Sequence, residues 1–77
     1  MRKLNISIRS IQQIRDFVAL ARRQPFSVQV GNDRQMINGK NFIGMSSLDY
    51  SRPLQVSVSC SEEEFLNFRQ EAAPFLQ

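Results

Sequence analysis

Histidine is absent from this chain of 77 residues, and cysteine occurs once, as Cys60. A single cysteine excludes a disulfide within the chain, and without histidine the common zinc sites are excluded as well. We therefore expect Cys60 to be a small buried hydrophobe at the end of a strand. The sequence predicts no metal site and no cofactor, and it has no phosphate-binding loop or nucleophile motif. On these grounds we infer that the chain is not an enzyme.

Long apolar runs are also lacking. No stretch is long enough to cross a membrane, and the residues after Met1 lack the apolar segment of a secretory signal. Together with the lone cysteine, this predicts a cytoplasmic protein without membrane insertion. The 42% of hydrophobic and 22% of charged residues are typical of a globular chain. The length is that of one small domain, which buries roughly 60% of its unfolded surface.

The net charge of +3 is unevenly distributed. Residues 1–40 carry eight basic and two acidic side chains, whereas residues 41–77 carry two basic and five acidic ones. This asymmetry predicts an electropositive face that meets an acidic partner. We expect that partner to be another protein. Nucleic acid is disfavoured, because the chain has few aromatic side chains on its strands and no motif of an RNA-recognition domain.

Alternation of apolar and polar residues predicts four strands. The predicted strands run over Leu4–Ile8, Phe26–Val30, Arg34–Asn38 and Leu54–Val58, and the third has the weakest pattern. Between the second and the third strand lies the turn sequence Gly31-Asn32-Asp33. We therefore expect these two strands to form a hairpin.

Two capping boxes predict the starts of helices, because Ser10 is followed by Gln13 and Ser61 by Glu64 at the required spacing. After Ser10, apolar residues spaced by three and four form one stripe: Ile11, Ile14, Phe17, Val18 and Ala21. The stripe of the last helix consists of Phe65, Phe68 and Ala72. Between the two, a short helix is expected over about Asn41–Ser47, with Asn41 as its N-cap.

The predicted order is β-α-β-β-α-β-α, which is typical of a two-layer α+β domain with helices on one face of a sheet. The order alone fits two architectures, a ferredoxin-like sandwich and an open-faced sandwich that ends in a third helix. The short second helix and the helix at the end of the chain favour the latter.

A resemblance to a known family lies in Lys40–Leu48, which reads Lys-Asn-Phe-Ile-Gly-Met-Ser-Ser-Leu. The segment resembles the stretch around the second helix of HPr, the histidine-containing phosphocarrier protein of the sugar phosphotransferase system, which reads approximately Lys-Ser-Ile-Met-Gly-Val-Met-Ser-Leu. With element order and spacing included, the resemblance extends from about Lys3 to Leu76. It implies a single HPr-like domain over residues 1–77. The expected fold is an open-faced two-layer β-sandwich, with a four-stranded antiparallel sheet covered on one face by three helices.

The resemblance also implies where phosphoryl chemistry would lie. The phosphorylated histidine of the family corresponds to Ser10, and the conserved arginine and proline that follow it correspond to Gln12 and Gln13. A regulatory serine before the second helix corresponds to Asn41. None of these family residues is present. Ser10 does not replace the histidine, because a phosphoserine is a stable ester and no base activates the hydroxyl; we expect it to be a helix N-cap.

Two candidate binding regions remain. The start of the first helix, with Arg9, Ser10, Ile11 and Gln12, is a candidate anion site, because free N–H groups and the helix dipole favour negative charge there. The resemblance implies a partner-docking patch at Phe42, Ile43 and Met45. If that patch is exposed, we expect Arg9, Arg15 and Arg22 to frame it with positive charge. Helical geometry cannot point all the apolar residues of so short a helix inward. We therefore expect Ile43 to be exposed and Phe42 to be partly exposed.

The sequence thus predicts a noncatalytic HPr-like protein-binding or regulatory domain, related to the sugar phosphotransferase system and unable to carry phosphohistidine. The expected partner is a protein with an acidic face, such as a component of that system, and the chain is expected to be a monomer. Two alternatives stay open: a phosphocarrier-type protein phosphorylated at another residue, and a small basic nucleic-acid-binding domain.

Overall fold

The computed structural model describes the whole chain, residues 1–77, as four strands and three α-helices. In chain order these are β1 Arg2–Ile6, α1 Ile11–Arg22, β2 Val28–Gly31, β3 Met36–Asn38, α2 Phe42–Ser46, β4 Leu54–Val58 and α3 Glu62–Glu71. A single 3₁₀ turn over Ala73–Phe75 follows α3. The predicted order β-α-β-β-α-β-α is confirmed, and so is the hairpin of β2 and β3.

The four strands form one antiparallel sheet in the order β1-β4-β2-β3. Leu4 lies opposite Val56, which lies opposite Val30, so this row is apolar and buried. The neighbouring row is polar and runs across all four strands: Lys3, Ser57, Gln29 and Asn38. Because side chains alternate between the two faces of a sheet, one face carries the core and the other is the open face.

A core of 19 buried hydrophobic residues lies between the sheet and the helices. Aromatic rings connect the helical layer in edge-to-face contacts. The ring of Phe17 on α1 lies 5.4 Å from that of Phe75 and 6.5 Å from that of Phe68 on α3. Such pairs contribute about 0.5–1.5 kcal/mol each beyond the area they bury. Phe17 therefore contributes to the packing of α1 against α3 and the turn that follows it.

Three predicted strands have other bounds in the structure: Leu4–Ile8 becomes Arg2–Ile6, Phe26–Val30 becomes Val28–Gly31, and Arg34–Asn38 becomes Met36–Asn38. The first strand ends at Ile6 and not at Ile8, because Ile6 lies opposite Leu54, the first residue of β4. Just beyond it, the N–H of Ser7 donates to the carbonyl of Phe75 at 2.8 Å, beside an isolated bridge between Ile6 and Leu76. Ile11, predicted to be part of the buried stripe of α1, is 67% exposed. It is the first residue of the helix and lies beyond the edge of the core, and Leu20 completes the buried stripe instead.

The two predicted capping boxes behave differently. At α3 the box is complete: the N–H of Glu64 donates to Ser61 Oγ, and the N–H of Ser61 donates to Glu64 Oε1. At α1 the N–H of Gln13 donates to Ser10 Oγ, but the Gln13 side chain accepts from Arg9 instead. The N-cap backbones also differ, with φ of −157° at Ser10 and −72° at Ser61. The second half of the α1 box was therefore predicted wrongly.

Cys60 also departs from its prediction. It lies beyond β4, which ends at Val58, and it is partly exposed while it packs against the core. Burial and the neighbouring Glu64 carboxylate raise the pKa of the thiol. Elsewhere in the chain, none of the helices is long and apolar enough to span a membrane.

Candidate protein-docking surface

The short helix α2 is fixed against the end of α1 by hydrogen bonds from basic side chains. Arg22 Nε donates to the carbonyl of Lys40 at 2.9 Å, and Lys40 Nζ donates to the carbonyl of Gln24 at 2.8 Å. The helix then begins at the predicted N-cap, because Asn41 Oδ1 accepts from the N–H of Gly44 at 3.2 Å. These contacts compensate for the low helix propensity of a five-residue segment that contains glycine.

A shallow groove of about 470 Å³ lies between the two helices and is called here the α1–α2 groove. It is lined by Arg15, Val18, Ala19, Arg22, Arg23 and Phe42. The guanidinium carbon of Arg15 lies 5.9 Å from the centroid of the Phe42 ring, within the range of a cation–π contact. The groove therefore combines an apolar floor with a positively charged rim, and Arg15 and Arg22 frame Phe42 as predicted.

The apolar residues of α2 divide between surface and core. Ile43 is 81% exposed and Phe42 is half-buried, which confirms the predicted exposures. Met45, predicted to be part of the docking patch, is fully buried and belongs to the core. The reason is geometric, because residues two apart on a helix point in nearly opposite directions. Once Ile43 faces solvent, Met45 faces the sheet, so its assignment to a binding surface was wrong.

Tyr50 forms a hydrogen bond to α2 that the sequence analysis did not predict. Its hydroxyl donates to the carbonyl of Met45 at 2.6 Å, near the end of the helix. Burial raises the pKa of Tyr50 to about 12, so the phenol stays protonated and remains a donor. No local pattern indicated this contact, since Tyr50 lies in a segment that reads only as a loop.

The predicted anion site lies at the start of α1, away from the residues that line the groove. Its four candidates, Arg9, Ser10, Ile11 and Gln12, remain contiguous there, and Ser10 is the N-cap as predicted. The Gln12 side-chain amide donates to Asp16 Oδ1 at 2.9 Å, which keeps a carboxylate close to this helix end. Arg9 takes no part in framing Phe42. The α1–α2 groove is therefore the better-formed of the two candidate sites.

The groove also includes residues that the sequence analysis did not assign to a site, namely Arg23, Val18 and Ala19. Arg23 forms an exposed ion pair with Glu71 of α3, with 3.6 Å between the charged atoms. No group of three or more His, Cys, Asp or Glu side chains is arranged to hold a metal ion. The groove thus presents apolar surface and positive charge.

No protein-family model and no curated protein sequence matches the chain. Among solved structures, the chain is similar to HPr-C-His from Thermoanaerobacter tengcongensis, known from its crystal structure. The TM-score is 0.74 at 22% sequence identity, and the match covers 94% of this chain and 90% of the other. At this identity the likeness concerns the fold. The chain adopts the HPr-like fold, an open-faced sandwich with three helices on one face of a four-stranded antiparallel sheet.

Proposed function

We propose that the chain is a noncatalytic protein-binding domain related to the phosphocarrier proteins of the sugar phosphotransferase system, and that it docks an acidic protein on the α1–α2 groove and the adjoining Ile43. The observation that carries the proposal is the exposure of Ile43, at 81%, on a helix that is otherwise fixed in place. An apolar centre within a charged rim is the usual anatomy of a protein interface.

The composition of the chain supports a binding role over phosphoryl transfer. Without histidine, it has no imidazole to carry a labile phosphoryl group. Ser10, at the position that the resemblance assigns to the family histidine, uses its hydroxyl oxygen to cap α1. A phosphate ester on serine is stable, so it would not be passed on. A domain with a docking surface and no reactive group acts by competing for the partner or by regulating it. We propose that it does so as a monomer.

The charges of the groove favour an acidic partner. Arg15 and Arg22 lie on the exposed side of α1, and Arg23 is exposed at its C-cap. Only Arg23 has an ion-pair partner, and that pair is exposed and weak. Positive charge of this kind speeds encounter with a negative surface and disfavours basic partners. It therefore contributes specificity, whereas Phe42 and Ile43 supply the apolar contact.

An NMR titration tests the proposal. The isotope-labelled chain is titrated with the histidine-binding domain of the first enzyme of the phosphotransferase system. We expect saturable shifts confined to residues 15–23 and 41–48. Ile43→Ser should weaken binding about tenfold, because exposed apolar residues at the centre of an interface dominate its energy. Leu66→Ser is the matched control, since Leu66 is 52% exposed on α3 and lies outside the groove.

Two results would contradict the proposal. Absence of shifts at high partner concentration would remove the link to the phosphotransferase system. Equal loss of affinity in the Ile43 and Leu66 variants would show that the contact is not made by the α1–α2 surface.

A further inference from the structure

A second concave surface lies at one end of the sheet, where β1, β2 and β4 meet the loops of residues 32–34 and 49–53. This sheet-end cleft has a volume of about 720 Å³, within the usual range for small-molecule sites. Of the eleven residues that line it, only one is hydrophobic. None of them belongs to α1 or α2, so the cleft is separate from the proposed docking surface.

Two arginines supply unpaired donors to the cleft. Arg34 enters from the β2–β3 turn and Arg52 from the loop before β4. The one ion pair of the chain joins Arg23 to Glu71, so neither cleft guanidinium is held by a carboxylate. A guanidinium presents a planar fork of N–H groups that matches a phosphate or carboxylate in bidentate fashion.

Both arginines are carried by loops that are fixed by short hydrogen bonds. Asn32 Oδ1 accepts from the N–H of Arg34 at 2.8 Å and from that of Gln35 at 3.1 Å. Asp49 Oδ1 accepts from the N–H of Ser51 at 2.9 Å and from its hydroxyl at 2.7 Å, next to Arg52. Loops that are already ordered lose little entropy when a ligand binds.

The remaining polar groups determine which kind of anion fits. Asp33 and Asp49 formally balance the two arginines, so an anionic group alone gains little net attraction, and a ligand that also forms hydrogen bonds to the other polar groups is favoured. The carboxylates accept hydrogen bonds, and the side-chain amides of Asn5 and Gln55 both donate and accept them. These groups therefore match the hydroxyl groups of a ligand. The cleft has no aromatic side chain on which a nucleobase could stack.

We propose that the sheet-end cleft binds a small sugar phosphate. Arg34 and Arg52 hold the phosphate group, while Asp33, Asn5 and Gln55 pair with the hydroxyl groups of the sugar. This site is independent of the protein-docking function, and the two fail or succeed separately.

Ribose 5-phosphate is a suitable probe, titrated into the isotope-labelled full chain and followed by NMR. We expect saturable shifts at residues 32–34 and 51–55. Arg34→Gln and Arg52→Gln should each weaken binding about tenfold, the usual loss for a hydrogen bond to a charged group. Arg69→Gln is the matched control, because it removes the same charge from an exposed position on α3, outside the cleft.

Parallel titrations with ribose and with inorganic phosphate separate the two halves of the ligand. We expect both to bind more weakly than ribose 5-phosphate. Equal binding of ribose would overturn the role of the arginines, and equal binding of inorganic phosphate would overturn the role of the hydroxyl-binding groups. The whole proposal is wrong if the shifts do not saturate, or if Arg69→Gln weakens binding as much as the cleft variants do.

Discussion

The guanidinium of Arg15 lies over the ring of Phe42, with 5.9 Å between its central carbon and the ring centroid. The two residues belong to different helices, so the contact places a positive charge beside the half-buried apolar surface of α2. An exposed cation–π contact is worth about 0.5–1 kcal/mol. Its effect on folding is therefore small, and its main consequence is the pairing of charge and apolar surface that a partner would meet.

Ile43 and Met45 should respond in opposite ways to truncation. Ile43→Ser should change the free energy of unfolding by less than about 0.5 kcal/mol, because the side chain is 81% exposed. Met45→Ala should cost about 2–5 kcal/mol, because Met45 is fully buried and its loss leaves a cavity. Urea unfolding followed by circular dichroism measures both. Similar losses in the two variants would show that α2 is rotated from the orientation described.

Alanine substitutions at Gly31 and Gly44 should change the free energy of unfolding in opposite directions. A Cβ atom on Gly31 would collide with the carbonyl oxygen of Gln35, so Gly31→Ala forces the hairpin backbone apart. We expect a loss of about 1–3 kcal/mol. At Gly44 the nearest atom would be Ile37 Cδ1 at 3.4 Å, so Gly44→Ala should stabilise α2 by about 0.5–1 kcal/mol. Thermal and urea unfolding of both variants would reveal the signs, and a neutral Gly31→Ala would contradict the tight turn.

Tyr50 should make stability depend on pH in the alkaline range. Burial raises its pKa to about 12 from an ordinary value of 10.0. The folded state therefore binds the phenolic proton more tightly than the unfolded state does, and this contribution is complete below about pH 10 and is lost as the pH rises toward 12. The chain has one tyrosine and no tryptophan, so the ultraviolet absorbance of the phenolate reports this group alone.

The variant Tyr50→Phe provides the control for that titration. It removes the hydrogen bond to Met45 and should cost about 1 kcal/mol at neutral pH. It should also remove the part of the alkaline loss of stability that is due to the phenol. If the wild-type phenol titrated near 10, the burial of Tyr50 beneath α2 would be wrong.

Replacing Ser61 by alanine should lower stability more than replacing the nearby Ser59. Ser61 Oγ accepts from the N–H of Glu64 within a complete capping box, so Ser61→Ala should cost about 1 kcal/mol. Ser59 is exposed and its hydroxyl makes no hydrogen bond in the structure, so Ser59→Ala should change stability by less than about 0.5 kcal/mol. Equal effects, measured by urea unfolding, would contradict the role of the cap.

Much of the fold was predictable from local pattern. The alternation in Leu54–Val58, the caps at Ser61 and Asn41, and the turn after Gly31 each reflect interactions within a few residues, and all appear in the structure. The errors lie at element ends. Ile11 has the spacing of a buried residue, yet its position at the first turn of α1 leaves it exposed.

The candidate site was predictable only in part. Helical geometry indicated that some residues of α2 face outward, and the exposure of Ile43 was predicted correctly. The burial of Met45 depends on which side of α2 meets the sheet, and that follows from the packing of the helix. The contribution of Arg23 to the groove was equally beyond the reach of local pattern.

Periodicity, caps and composition were sufficient to predict the order of the strands and helices and to exclude phosphohistidine, because they are properties of the chain alone. The sheet order β1-β4-β2-β3, the contact of Arg15 with the ring of Phe42 and the presence of Arg34 and Arg52 in one cleft follow from tertiary packing. These relationships join residues far apart in sequence. They arise when the sheet and helices bury their apolar faces together, and no local pattern records how that packing brings distant side chains into contact.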